Sequence, residues 1–313
     1  MNKWTQRNVV VVYGGESSER EISLRTGAAL ADALRERGVD ARLLDLRRGR
    51  LGDLAALKPD VVLIALHGNL GEDGALQGVL EWMDVPYTGS GVLASALAMD
   101  KLRTKEVLAA RGVPTPRWTV AAPSAEEPTR EIGLPCVVKP SLEGSSVGVS
   151  IVRDAAGWRD AIRRCAGTRG DLLVEELIVG RELTVAIRDG QTMGVIEVMP
   201  AETFYDYGAK YQRNDTRYVF PAALSPAVQK QVESVAERAY SAVGCRGVAR
   251  VDVMLSQDES PFVLEVNTIP GMTATSLVPK VAAGIGIAFP DFAVSMLDAA
   301  TTDARALLIG GAR

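Results

Sequence analysis

The sequence predicts an α/β protein of more than one domain, and three observations lead there. Residues 8 to 95 alternate apolar strand, short helix and strand, the pattern of a parallel sheet with its ligand crevice beyond the strand C-termini. At 313 residues the chain is long enough for two or three domains, and Gly112-Val-Pro-Thr-Pro116 breaks it as a domain boundary would. From about Arg181 onward, short apolar runs separated by polar turns read as hairpins, with Asp189-Gly190 a strong turn signal.

Asn8-Val-Val-Val-Val-Tyr13 is the first strand, an unbroken apolar run closed by Gly14-Gly15. The helix that follows has Ser18 and Glu21 spaced as a capping box, and its apolar positions are Ile22, Leu24, Ala28, Ala29, Leu30, Ala33 and Leu34. Val39 to Leu46 and Pro59 to Leu66 are the next strands, the latter leading into His67-Gly-Asn-Leu-Gly-Glu-Asp-Gly74. Glu19 and His67 therefore fall just past strand ends. No Gly-x-Gly-x-x-Gly opens the first helix, which weighs against a nicotinamide enzyme. Residues 91 to 111 read as one helix rich in Ala and Leu. Taken alone, its Lys101, Arg103 and Lys105 form a solvated face.

A second unit holds strands Leu134 to Pro140, Val149 to Val152 and Leu172 to Ile178, with a helix from Ala155 to Cys165. Between the first two strands, Gly144, Ser145, Ser146 and Gly148 make a loop that can wrap amides and hydroxyls around phosphate oxygens, with Lys139 beside it for charge. Alone, such a loop is also what a flexible hairpin looks like. In the third unit, Ala201 to Tyr218 is polar and aromatic without period and reads as a long ordered loop, a kind often functional. Ser225-Pro226 starts an amphipathic helix with a cap and a first-turn proline. A last helical region, rich in Ala, runs from about Val278 to Leu297, and the last dozen residues read as a tail.

Composition narrows the function. A net charge of -4 gives no reason to expect nucleic acid or an anionic membrane as partner, and no apolar run approaches the ~20 residues of a membrane helix. The apolar run Val9 to Val12 is too short for a signal-peptide core. Three scattered cysteines fit a reducing cytoplasm, and a single histidine rules out a His-rich metal site. The chemistry must rest on carboxylates, Lys, Arg, Tyr, Ser and backbone amides.

Arg250 to Asn267 focuses that chemistry. It reads as two strands joined by Gln257 to Ser260, with Ser256 paired to Pro261. Alternation places Arg250 and Asp252 on one face, and Val251, Val253 and Leu255 on the other. On the second strand Glu265 and Asn267 share a face with Val263, opposite Phe262, Leu264 and Val266. Counting back sets Asp252 across from Glu265, and like charges so placed are destabilising unless a cation sits between them. Asp252, Glu265 and Asn267 offer oxygen donors with no His or Cys nearby, which suits a hard ion such as magnesium. The alternative for this stretch alone is a plain hairpin with a solvated polar face.

Seven motifs in series decide between them. Gly14 to Ser23, His67 to Gly74, Met99-Asp-Lys101, Val138 to Gly148, Tyr205-Asp-Tyr-Gly-Ala-Lys210-Tyr211, Arg250-Val-Asp252-Val and Glu265-Val-Asn267 through Leu277 together resemble the D-alanine–D-alanine ligases of the ATP-grasp superfamily, from about residue 9 to 297. The resemblance implies a three-domain ATP-grasp architecture, α/β at the N-terminus and α+β in the ATP-grasp part. The N-terminal domain would span residues 1–95, a central domain with the Gly/Ser loop 96–180, and a C-terminal domain with the metal site 181–313, ATP lying between the last two. It implies that ATP and two D-alanines give D-alanyl-D-alanine, ADP and phosphate in the cytoplasm, by a homodimer.

The resemblance also implies site roles. Asp252, Glu265 and Asn267 would hold two magnesium ions, with manganese as a substitute and a monovalent cation as an accessory. Lys101 and Lys139 would contact the α- and β-phosphates beside the Ser146 loop, and Lys210 the γ-phosphate. Glu175 and the backbone of Glu176, Leu177 and Ile178 would line the adenine pocket, with Glu182 on the ribose. Glu19 would bind the first D-alanine's ammonium and, with Ser145 and Tyr211, close the site, near His67. Arg250 and the Gly271 amide would form an oxyanion hole. Ser276 and Leu277 would hold the second D-alanine's carboxylate. Thr275 and Gly208 depart from the usual family residues without touching a proposed ligand, and Lys210-Tyr211 favours the dipeptide over an ester product. One rival is another ATP-grasp carboxylate–amine or depsipeptide ligase. A second, a non-catalytic nucleotide-binding regulator, would lack the metal carboxylates that this chain keeps.

Overall fold

A computed structural model describes residues 3–122, 124–199 and 216–310. Lys210, Tyr211 and most of the segment read as a long loop lie outside the described residues. The N-terminal sheet has strands β1 (Val9–Tyr13), β2 (Ala41–Asp45) and β3 (Val61–Ile64) in the order β2-β1-β3, all parallel. Val9 to Val12 are buried on both faces, as a continuous apolar run in a parallel sheet should be. Val9 and Val11 pack with Leu30 and Leu34 of α1 (Arg20–Glu36), while Val10 and Val12 pack with Leu54 of α2 (Leu51–Ala56) and Leu76 and Leu80 of α3 (Ala75–Trp82).

Two helix readings need correction, and a third is refined. The capping box at Ser18 does not form: Glu19 holds the N-cap position without a side-chain cap bond. Ser17 supplies the local hydroxyl instead, accepting from the Glu19 amide and donating to the His67 carbonyl. The helix read from 91 to 111 is two, α4 (Val92–Met99) and α5 (Lys101–Ala110). Asp100 divides them, its backbone extended and its carboxylate accepting from the Leu102 and Arg103 amides; a carboxylate placed to cap ends one helix by starting the next. The final helix likewise splits into α8 (Leu277–Gly284) and α9 (Phe289–Asp298), bent by 106° at a break containing Gly286 at φ 84°.

The central sheet runs β4-β7-β5-β6, wholly antiparallel, from β4 (Trp118–Ala121), β5 (Cys136–Pro140), β6 (Ser150–Val152) and β7 (Leu172–Glu176). Helix α6 (Ala155–Cys165) covers one face, with Trp158 fully buried against Cys136, Val138, Val152 and Val174. The third sheet is also antiparallel, ordered β10-β9-β8-β11-β12 from β8 (Gly180–Arg188), β9 (Gln191–Met199), β10 (Arg217–Val219), β11 (Val248–Ser256) and β12 (Pro261–Asn267). Asp189 and Gly190, both at positive φ, turn β8 into β9. Helix α7 (Pro226–Val243) lies on this sheet, capped by Ser225 as its sequence predicts and closed by Gly244 in the left-handed conformation.

The last dozen residues are not simply a tail. They contain α10 (Asp303–Gly310), stitched down by Asp303, whose carboxylate accepts from the Val92 amide and pairs with Arg246. Among the described residues no single helix is long and apolar enough to cross a membrane.

Trp158→Ala should lower stability by about 3–5 kcal/mol through an unfilled core cavity. Chemical denaturation followed by circular dichroism checks this, and a loss under about 1 kcal/mol would deny that Trp158 anchors the central sheet.

Candidate active site

The hairpin β11–β12 places Asp252 opposite Glu265 and Arg250 opposite Asn267. The route to that register differs from the expected one. Leu255, not Ser256, pairs with Pro261. The turn is tighter, with Ser256 and Ser260 bonded to each other and Glu259 at φ 61°. A bulge at Leu264 then adds the residue that brings Asp252 back to Glu265. It also corrects the faces: Val263 and Val266 both enter the core under α7, while Leu264 and Glu265 both face a cavity.

The cation that two facing carboxylates require is present in the chain itself. Arg250 grips Asp252 with two nitrogens, Nε at 3.0 Å and Nη2 at 2.8 Å, and Nη2 reaches Glu265 Oε1 at 3.4 Å. Lys101 Nζ stands 3.4 Å from Glu265 Oε2 and donates to the Glu143 carbonyl. Thr184, paired with Asp252 across β8, donates its hydroxyl to Asp252 Oδ1 at 2.7 Å. Asn267 Oδ1 accepts from the Ile269 amide.

Behind this face lies a cluster that sequence reasoning misjudged. Lys105 is not solvated. Its side chain is 1% exposed, with Nζ 3.0 Å from Glu175 Oε1, while Lys139 Nζ approaches the same oxygen at 2.8 Å. Burial pushes the Lys105 ammonium down to about 8, opposed by Glu175. Burial also pushes the Glu175 carboxyl up, but Lys139 and Lys105 together outweigh it and leave Glu175 below its ordinary value. Lys105 lies one helical turn from Lys101, on the same face of α5, and that spacing was the available signal.

The N-terminal sheet contributes a third cluster. Ser145 donates its hydroxyl to Glu19 Oε1, joining the Gly/Ser loop to the N-terminal end of α1. Ser145 and Ser146 both have positive φ, 50° and 61°, a conformation costly outside glycine and characteristic of functional turns. A side chain at Gly144 would run into the Glu19 carboxylate. His67 is buried, its Nδ1 3.0 Å from Glu72 Oε1 and its Nε2 3.1 Å from Thr26 Oγ1. Burial lifts the Glu19 carboxyl above its usual value, Glu72 adds to this, and the Ser145 bond opposes it. For His67, burial acts downward, but the bond and charge of Glu72 carry the imidazole above its usual value.

Three neighbouring cavities meet at the hairpin face. One of about 70 Å³ is lined by Glu19, His67, Lys101, Ser145, Asn267 and Gly271. A second, about 590 Å³, is lined by Lys139, Ser146, Glu175, Glu176, Leu177, Ile178 and Glu182. The third, about 330 Å³, is lined by Gly271, Ser276 and Leu277. Glu265 and Lys101 border the first two, Asp252 the second and third, and Arg250 the first and third. Ser276 Oγ accepts from the Thr273 amide rather than capping α8. Every expected site residue among the described ones thus borders one of the three; Lys210 and Tyr211 lie outside them.

The donor set fits a hard divalent cation. Among the described residues no three acidic, His or Cys side chains form a complete cage. Two facing carboxylates beside an open cavity match magnesium, which takes one or two carboxylates and completes its shell with water and phosphate oxygens.

The family model described as D-ala D-ala ligase C-terminus matches residues 107–298, and that described as D-ala D-ala ligase N-terminus matches residues 51–90. The chain is 52% identical over 308 residues to the D-alanine--D-alanine ligase of Anaeromyxobacter sp. (strain Fw109-5), covering 97% of this chain and 100% of that one. It is 47% identical over 301 residues to the D-alanine--D-alanine ligase of Cupriavidus pinatubonensis, covering 94% and 92%. Among solved structures, the D-alanine--D-alanine ligase from Bacillus anthracis complexed with ATP matches with a TM-score of 0.81 at 31% identity, over 97% of this chain and 99% of that one. With that identity and coverage added to the ordered motifs and the three sheets, the chain belongs to the D-alanine–D-alanine ligase family and has its ATP-grasp fold.

Proposed function

We propose that the chain joins two D-alanines with ATP, giving D-alanyl-D-alanine, ADP and phosphate for the peptidoglycan precursor in the cytoplasm. The observation that supports this most is the convergence of three cavities on one hairpin face, with carboxylates facing each other and lysines around them. We take the domains as residues 1–95, 96–180 and 181–313, with ATP between the second and third. The exposed Trp82, 94% accessible on α3, suits a homodimer formed through the first; a monomeric mass by light scattering would remove that reading.

In this reading Glu175 and the backbone of Glu176, Leu177 and Ile178 hold the adenine, and Glu182 the ribose. Lys101, Lys139 and the Ser146 loop hold the α- and β-phosphates, and Lys210 the γ-phosphate. Magnesium held by Asp252, Glu265 and Asn267, or manganese in its place with a monovalent cation nearby, supplies positive charge against the phosphates. Phosphoryl transfer asks mainly for positioning and charge neutralisation. Glu19 fixes the first D-alanine's ammonium near His67 while its carboxylate oxygen attacks the γ-phosphorus and the bond to ADP breaks. Ser145, with Tyr211, closes over the acyl phosphate and excludes water. Ser276 and Leu277 orient the second D-alanine, whose amine attacks the acyl carbon and expels phosphate. Arg250 and the Gly271 amide donate to the oxyanion of that step.

Phosphate release should depend on D-alanine and be weak with L-alanine or D-lactate; release without D-alanine dependence would refute the reading. Glu265→Gln should cut turnover at least ~100-fold, the scale for losing a preorganised charge partner, while its circular dichroism stays native. Near-normal turnover at saturating magnesium would refute the metal assignment. Glu19 binds an ammonium only as a carboxylate, and its affinity for protons is raised above the ordinary 4.5. As pH falls, the KM for D-alanine should therefore rise from a pH above 4.5, and Glu19→Gln should remove that limb while weakening binding about 10–100-fold. A wild-type limb centred at or below 4.5 would contradict the assignment.

A further inference from the structure

Lys105 borders none of the three cavities and meets the site only through Glu175. It is absent from the lining of the large cavity, which Lys139 and Glu175 both border. Yet its ammonium is fully buried and fully engaged. Beyond Glu175 it donates to Thr115 Oγ1 at 2.6 Å and to the Pro116 carbonyl at 3.0 Å, and it sits 5.3 Å from the Trp118 ring centroid. Thr115 in turn donates its hydroxyl to the Val263 carbonyl, beside the β12 bulge. The ammonium is thus fixed from α5, from the 113–118 connection and, through Thr115, from the hairpin that carries Asp252 and Glu265.

One carboxylate oxygen, Glu175 Oε1, faces two lysines that differ in freedom. Lys139 borders the cavity; Lys105 is held by its other partners behind it. A buried carboxylate whose sole counter-charge leaves is strongly destabilised. If Lys139 alone paired with Glu175, turning to a ligand would strand that charge. With Lys105 in place it does not. We propose that Lys105 is a positioning residue that keeps Glu175 charged and oriented while Lys139 exchanges it for a nucleotide phosphate. This rests on the nucleotide reading of the large cavity given above. Lys105 then acts on nucleotide binding and leaves the amino-acid sites alone.

The test is a double-mutant cycle on steady-state kinetics with wild type, Lys105→Met, Glu175→Gln and the pair together. Lys105→Met should raise the KM for ATP about tenfold or more, the scale of a lost charged hydrogen bond, with the KM for D-alanine changed less than about twofold. In the Glu175→Gln background the same substitution should add less than about twofold, because its target is gone. An unchanged KM for ATP in Lys105→Met, or the same factor in both backgrounds, overturns the proposal. Should Lys105→Met alone fail to fold, the pair measured against Glu175→Gln carries the test. A pair that also fails to fold overturns it, since Lys105 would then support more than Glu175. Wild-type protein without ATP-dependent turnover removes the nucleotide reading itself.

Discussion

Two carboxylates held face to face on adjacent strands are the constraint around which the site is built. Asp252 and Glu265 repel each other unless a cation lies between them, and the backbone register gives them no way apart. Arg250, two residues along the same strand, lies across both. Lys101 supports Glu265 from α5, and Thr184 supports Asp252 from β8. The break at Asp100 has a purpose in this light: it starts α5 at Lys101, at the rim shared by two cavities.

The same economy runs through the other clusters. Three titratable groups at the cavities already have partners within the chain: Lys139 with Glu175, Glu19 with Ser145, His67 with Glu72. A polar ligand therefore enters by exchanging partners rather than by filling unmet demand, and the desolvation cost of the buried charges is largely met before it arrives. The interlocking also ties remote segments together. Glu19, at the start of α1, meets the loop between β5 and β6, so the N-terminal sheet and the Gly/Ser loop approach as one surface.

Much of this was legible in the residues. The valine run, the Asp189-Gly190 turn, the Ser225-Pro226 helix start and the span of α6 follow from local rules, and the structure keeps them. Strand alternation and turn length pair Asp252 with Glu265, and the chain reaches that pair by another route, through a tighter turn and a bulge that cancel each other. A non-glycine residue in the left-handed conformation, Glu259, carries that turn, and nothing local announces it. The breaks in the long helices were visible in Asp100 and Gly286 but outweighed by apolar composition. Lys105 was obscured for a different reason. A lysine becomes a buried counter-charge only when a distant strand brings a carboxylate, and Glu175 is 70 residues away in the sequence.

The bulge at Leu264 has one more effect. A regular strand sends neighbours to opposite faces, so an apolar and an acidic residue side by side would face apart. With one residue added, Leu264 and Glu265 point the same way, next to Met254 and Asp252 on the adjoining strand. The cavity floor acquires a polarity within a single hairpin: greasy toward the turn, charged toward the open end. A molecule with a flat aromatic head and an ionic tail can lie along it in only one direction.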